Sequence, residues 1–264
     1  MRGPGYCCTV RTALRAPASD LHPWTFAPIG VARTVFREKY SIPRQPGLCP
    51  HARGTLELVG DPHVRAALRG IEGFSHLWVV YVFHATGSEG WKPGVRAPRL
   101  GGAEKVGVLA SRSPHRPNPI GLSAVELVRA ELDHPEGPRL EVRGVDLLDG
   151  SPVLDVKPYL PYADSVPRAR AGWARAPIAR VPVSFTRAAA EAIRAREATH
   201  PELRGLIRDL LSLDPRPAFQ QRKLPFGSPQ SLGTRWGFAV MDLDVKWEIT
   251  ARGFRVREVI PLPR

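Results

Sequence analysis

From Trp24 to about Ala163 short β-branched or aromatic runs alternate with glycine and proline breaks, the pattern of strands separated by turns. The runs are 29–36, 55–59, 77–83, 106–110, 122–132, 140–145 and 152–156, with one short helix expected over 63–69. Helices do not alternate with these strands, which argues against a doubly wound parallel sheet. Regular strand spacing with turn chemistry predicts a closed barrel or a sandwich.

Residues 1–24 carry Arg2, Arg11 and Arg15 against one acid, Asp20, and no secretory apolar core, so they read as a loose extension. Residues 25–165 form the expected β domain and 166–183, rich in Ala, Arg and Pro, a linker. Residues 184–264 form a smaller α+β domain, with helices expected over 184–196 and 201–213 and Pro201 in a first helical turn. Three strands follow, over 235–241, 245–249 and 254–260. Val245, Trp247 and Ile249 alternate with Lys246 and Glu248, the mark of a sheet with one wet face.

The net charge of +13 calls for a polyanionic partner, and nucleic acid is the usual one; a compositional preference for Arg is the plainer alternative. Three cysteines without a CxxC pair argue against a disulfide framework or structural zinc and fit a reducing compartment. No apolar run approaches the ~20 residues of a membrane span. These features predict a cytoplasmic protein.

Four polar loops interrupt the β domain, and function concentrates on loops held by a rigid scaffold. In "RSPHRPNPIGLS" (112–123) three prolines exclude helix and push Ser113, Arg116 and Asn118 to extended geometry. The stretch is a stiff loop carrying Arg112, His115 and Arg116. It suits an anionic ligand, because little entropy is lost on binding, or else is a rigid connector with its charges in water. "SIPRQPG" (41–47) sets Arg44 and Gln45 between prolines. "FHATGSEGWKPGVRAPRLGG" (83–102) mixes Trp91 with Lys92, Arg96 and Arg99. "VDLLDGSPVLDVKPYLPYADS" (145–165) offers Asp146, Asp149, Asp155, Lys157, Tyr159 and Tyr162.

His51, His63, His76 and His84 match no metal-ligand spacing, so no metal is expected. GxSxG, GxGxxG and Walker loops are absent. Asp146 and Asp149 would serve as paired carboxylates, but "DLLDGSP" reads more simply as a turn that Asp149 fixes. Aromatics interleaved with cations suit single-stranded RNA, whose bases stack on aromatic and Arg planes. Gln45 or Asn118 would address an adenine edge. Core packing is the plainer role for Trp78, Tyr81 and Phe83.

Taken in order, "IPRQPGL", "LRGIEGFSHLWVVYVFH", "GWKPGVRAPRLGG", "RSPHRPNPIGLS" and "VDLLDGSPVLDVKPYLPYADS" resemble the TrmO family of TsaA-like tRNA methyltransferases; "DPRPAFQ" and "FAVMDLDVKWEI" extend the resemblance to the C-terminal part. The resemblance implies a homodimeric, non-Rossmann β-barrel enzyme. It would methylate N6 of threonylcarbamoyl-adenosine at position 37, beside the anticodon of threonine tRNA, using S-adenosylmethionine. It places the donor against Pro43, Arg44 and Gln45; His84 and Ala85; Arg112 and Leu122; and Asp149, Gly150, Ser151 and Pro152. It leaves His115, Arg116, Trp91, Lys92, Arg96, Lys157 and Arg216 for substrate and tRNA. The chain departs from the family at Ala85, where Gln or Asn is common, at Ala97 for Pro, at Ser151 for Thr and at Phe219 for Tyr.

Methyl transfer from a sulfonium is an in-line displacement in which catalysis is mainly positioning. The expected proton acceptor is Asp149, Asp155 or bound water, with Arg112 beside the donor. Arg44, Arg112, Arg116 or Lys157 would pair with the threonyl carboxylate. Two rivals are a tRNA-binding module without catalysis and a small-molecule methyltransferase.

Overall fold

A computed structural model describes residues 24–262 apart from Tyr40 and residues 101–103, and the side chains of 87–89 are likewise not described. The expected N-terminal extension, except Trp24, lies outside the described residues. Six antiparallel strands close into a barrel in the order β1 (Gly30–Thr34), β2 (Arg53–Leu58), β7 (Arg139–Arg143), β6 (Ile120–Glu131), β3 (His76–Val82) and β8 (Ser151–Pro158), which joins back to β1. The strands alternate as the sequence does. In β3, Leu77, Val79 and Tyr81 point inward, each at most 3% exposed, while Trp78, Val80 and Val82 face outward. Ala32, Leu56, Val125, Leu140, Val142 and Val153 complete this interior. The barrel, rather than the sandwich, is the outcome.

Three local expectations shift. The run at 106–110 is a short strand, β5 (Lys105–Gly107), followed by a 3-10 turn over Val108–Ala110. It pairs with β4 (Gly94–Arg96) as a hairpin outside the barrel. Helix α1 (Pro62–Ala67) starts one residue early because Asp61 caps it, its carboxylate accepting from His63 N at 2.6 Å with Pro62 in the first turn. A further single turn, α2 (Pro161–Asp164), follows the barrel.

The C-terminal part begins with a strand rather than a helix. Ser184 lies in β9 (Val183–Phe185), which runs parallel to β12 (Gly253–Pro261). Thr186 then caps α3 (Arg187–Arg194), its hydroxyl accepting from Ala189 N. Helix α4 (Leu203–Ser212) starts after Pro201, so that proline is not in its first turn. Glu202 intervenes with φ +63°, a left-handed conformation that strains a non-glycine residue. Its carboxylate accepts from Arg53 Nε at 2.7 Å and Arg143 Nη2 at 2.8 Å, which holds it there. Helix α5 (Ala218–Lys223) was not expected. β10 (Arg235–Val240), β11 (Leu243–Thr250), β12 and β9 form one sheet. Val245, Trp247 and Ile249 are buried on one face of β11 as the alternation required.

Helix α4 docks on the barrel. His51 Nδ1 lies 2.7 Å from Asp209 Oδ2, and a Cβ at Gly205 would sit 2.5 Å from the His51 ring. Only glycine admits that approach. The segment expected as a linker is strapped across the barrel loops. Trp173 Nε1 donates to the Ala110 carbonyl at 3.1 Å, Arg99 donates to that of Ala176, and Arg180 donates to that of Leu48 at 2.7 Å.

Candidate active site at one end of the barrel

Register places the polar loops together. Val82 pairs with Ile120, Tyr81 with Val153, Ala32 with Ser151, Thr34 with Gly54 and Arg53 with Arg143. The C-termini of β1, β3 and β7 and the N-termini of β2, β6 and β8 therefore open at the same end. The loops carrying Arg44 and Gln45, His84 and Ala85, Arg112 to Arg116, and Asp146 to Ser151 all rim that end.

The proline loop is fixed by its own bonds. Phe83 N donates to the Pro119 carbonyl at 2.7 Å, Ser113 N to Ser111 Oγ, His115 N to Ser113 Oγ and Arg116 Nη1 to the Ser111 carbonyl. Lys92 N donates to the His115 carbonyl at 3.1 Å and ties the β4–β5 hairpin to it. So held, Arg112 Nη1 donates to Gln45 Oε1 at 2.5 Å across 67 residues of sequence. Pro43 is buried and Arg44 is exposed behind it. Although the residue is exposed as a whole, protein packed around the Arg44 head lowers its pKa, and the charge of Asp214 opposes the shift.

The 146–152 turn is built as its sequence reads. Asp149 Oδ1 accepts from Thr34 N at 2.9 Å, and Asp149 N and Gly150 N donate to the Phe36 and Ala32 carbonyls. Gly150 takes φ +78° and Ser151 Oγ donates to the Leu148 carbonyl. His84 feels Asp149 and Lys39; burial lowers its pKa, against the Val82 backbone and Asp149.

A residue outside the expected site set stands out. Asp146 Oδ1 accepts from Ser123 Oγ at 2.6 Å, and that hydroxyl lies 3.5 Å from Tyr81 Oη. Burial pushes the Asp146 carboxyl up to about 6, opposed by the Ser123 bond, its own backbone N–H and the Arg112 charge. The first Asp of "DLLDG" was legible in the sequence, but only the fold shows that Ser123 and Tyr81, both inward-facing, lie beneath it.

Other expected residues fall elsewhere. Asp155 sits opposite outward-facing Val80 and is paired with Lys157 at 2.8 Å, so both lie on the outer wall of the barrel. That bond raises the Lys157 pKa. Leu122 is also outward, opposite Val80, and 54% exposed. Arg216, expected on the RNA side, is buried at 2% exposure. Its guanidinium is consumed by Asp214 at 2.6 and 2.7 Å and the Leu224 carbonyl at 2.8 Å, and lies over the Trp236 and Phe254 rings. A cation so engaged is structural.

Beside the proline loop a cavity of about 370 Å³ is lined by Lys92, Gly94, Val95, Arg96, Lys105, Ser113 and His115, with half-buried Trp91 in the same segment. No acidic side chain lines it, and Lys92, Arg96 and Lys105 make no ion pair among the described residues. Three such cations around one space repel each other, an arrangement suited to an anion. No group of His, Cys, Asp and Glu able to hold a metal occurs among the described residues, and no helix there is long and apolar enough to cross a membrane.

A closed antiparallel barrel with a polar loop cluster at one end and an appended α+β unit is the class that fold and site define. Residues 31–165 match the tRNA-methyltransferase O N-terminal domain and residues 178–262 the TrmO C-terminal domain, so the chain belongs to the TrmO family. It is 43% identical over 237 residues to the tRNA (adenine(37)-N6)-methyltransferase of Escherichia coli K12, covering 89% of this chain and 97% of that one. It is 44% identical over 222 residues to a putative S-adenosylmethionine-dependent methyltransferase, RcsF, of Pseudomonas aeruginosa, covering 84% and 90%. A crystal structure of TrmO from Pseudomonas aeruginosa superposes with a TM-score of 0.72 at 38% identity, covering 91% of this chain and all of that one.

Proposed function

We propose that this protein transfers a methyl group from S-adenosylmethionine to N6 of threonylcarbamoyl-adenosine 37 in threonine tRNA. The observation that carries the reading is the gathering of four separate polar loops at one barrel end, closed by the Arg112–Gln45 bond. Gln45, Arg112, His84 and the Asp149–Ser151 turn there supply the polar groups that an amino acid and a nucleoside require, and the pre-formed turn costs little to order. Bound S-adenosylmethionine would supply an electrophilic methyl group. Pro43, Arg44, Ala85 and Pro152 complete its expected neighbourhood, while Leu122 faces outward. Arg44 and Arg116 are the cations left for the threonyl carboxylate, since Lys157 is held by Asp155. The cation cavity at Lys92, Arg96 and Lys105 would take backbone phosphates of the anticodon arm.

The partition into a barrel domain over 25–165, a strap over 166–183 and an α+β domain from 184 belongs to the same reading, as does a homodimer. Leu122, Ile120, Leu109 and Trp173 expose apolar surface on and beside the loops of this end, which a second copy would cover. A cytoplasmic, metal-free enzyme fits a tRNA substrate and a donor that needs no metal.

The test is label from S-adenosylmethionine entering threonine tRNA with and without the threonylcarbamoyl group. Label only in the modified tRNA, on N6 of that nucleoside, is expected. Salt-sensitive tRNA binding without transfer would make the protein a binding module, and transfer indifferent to tRNA would make it a small-molecule enzyme. Sedimentation at micromolar concentration reads the dimer.

A further inference from the structure

We propose that Asp146 is the group that takes the proton from N6 during methyl transfer, with Ser123 and Tyr81 as the residues that position its carboxylate. This rests on the methyltransferase reading above.

The substrate nitrogen bears one hydrogen that must leave. As the N6 lone pair forms the new N–C bond, the S–C bond of the donor breaks, its electron pair stays on sulfur, and the N6 proton passes to a base. The two carboxylates that sequence favoured serve other ends, one anchoring the rim turn and one pairing on the outer wall. Asp149 is tied to the Thr34 amide and Asp155 to Lys157 on the outer wall. Asp146 has one oxygen anchored at 2.6 Å by Ser123, and that hydroxyl also lies 3.5 Å from Tyr81 Oη. The ring of Tyr81 is set against Gly121, where a Cβ would fall 2.3 Å from it, so the strand pair fixes this support rigidly. Arg112, which binds Gln45, is the charged group that acts on Asp146 from the proline loop. Asp146 is therefore the carboxylate shared by the barrel interior and the rim cluster. Its elevated pKa leaves it ionised at neutral pH yet basic enough to accept a proton.

Asp146→Asn keeps the shape and one hydrogen bond to Ser123. Single-turnover methylation of threonylcarbamoyl-tRNA is expected to fall by roughly 100-fold or more, the usual size of a lost general base. The wild-type rate should rise with pH through about 6, and this limb should vanish in the variant. Donor affinity by calorimetry and tRNA affinity by filter binding should stay within about threefold, and Asp146→Glu should recover part of the rate. A variant that keeps the wild-type rate and its acid limb overturns the proposal. So does one that loses donor affinity in step with rate, since Asp146 would then bind the donor. A wild-type protein that transfers no methyl sinks the methyltransferase reading itself, and this inference with it.

Discussion

Arg112 Nη1 donates a 2.5 Å hydrogen bond to Gln45 Oε1, joining the proline-locked loop before β6 to the proline-flanked loop after β1. Both partners sit on backbone that proline stiffens, so the pair is set before any ligand arrives. Hydrogen bonds from charged donors contribute about 1.5–3 kcal/mol. Arg112→Ala is expected to weaken S-adenosylmethionine binding about 10–100-fold by calorimetry. Removing this cation also removes the charge that lowers the Asp146 pKa, so the acid limb of the pH–rate profile should move up. An unaltered affinity and limb would place the donor elsewhere.

The cations around the cavity make a separate prediction. Replacing Lys92, Arg96 and Lys105 together by Ala should reduce the slope of log affinity against log salt by about 2 for single-stranded contacts. Fold and donor affinity should hold, because none of the three bonds to another described side chain. A slope equal to wild type would remove this cavity from the RNA path.

Asp146 predicts a stability change of unusual sign. Its folded pKa is raised from 3.8 to about 6. Between those values the unfolded chain has lost its proton while the folded one keeps it, so stability falls as pH rises, and the full cost persists above 6. The shift sets a ceiling of about 3 kcal/mol. Solvent at this half-buried residue trims that to roughly 1–2 kcal/mol. Asp146→Asn should therefore melt higher than wild type at pH 8 and equally at pH 4. A gain of the same size at both would detach it from this ionisation.

Gly205→Ala drives a methyl group into the His51 ring and should cost about 1–3 kcal/mol in chemical denaturation. Adding His51→Ala should recover part of that loss, a coupling that two independent sites would not show.

Arg216→Lys tests the reassignment of a residue expected to touch tRNA. A lysine cannot make the paired bonds to Asp214 or lie flat over Trp236. Removing part of a buried ion network costs about 3–5 kcal/mol. The melting temperature should drop while the salt slope of tRNA binding stays put.

Strand runs, wet and dry faces and the proline loop were legible in the sequence because each depends on near neighbours. The alternation of Val245 to Ile249 sorts a sheet, and prolines 114, 117 and 119 forbid a helix regardless of what packs nearby. The motif order also marked the polar loops now found at one end. Other features depended on residues far apart in the chain. Ser184 and Phe185 have helical neighbours, yet a parallel edge on β12 captured them. Arg216 looked like a surface cation until Asp214, Trp236 and Phe254 enclosed it. Asp146, Asp149 and Asp155 were three similar acids in one string. Their separation into a half-buried carboxyl over the barrel interior, a turn anchor and an outer-wall ion pair came from barrel closure, because strand register decides which face a side chain takes and which distant groups meet it.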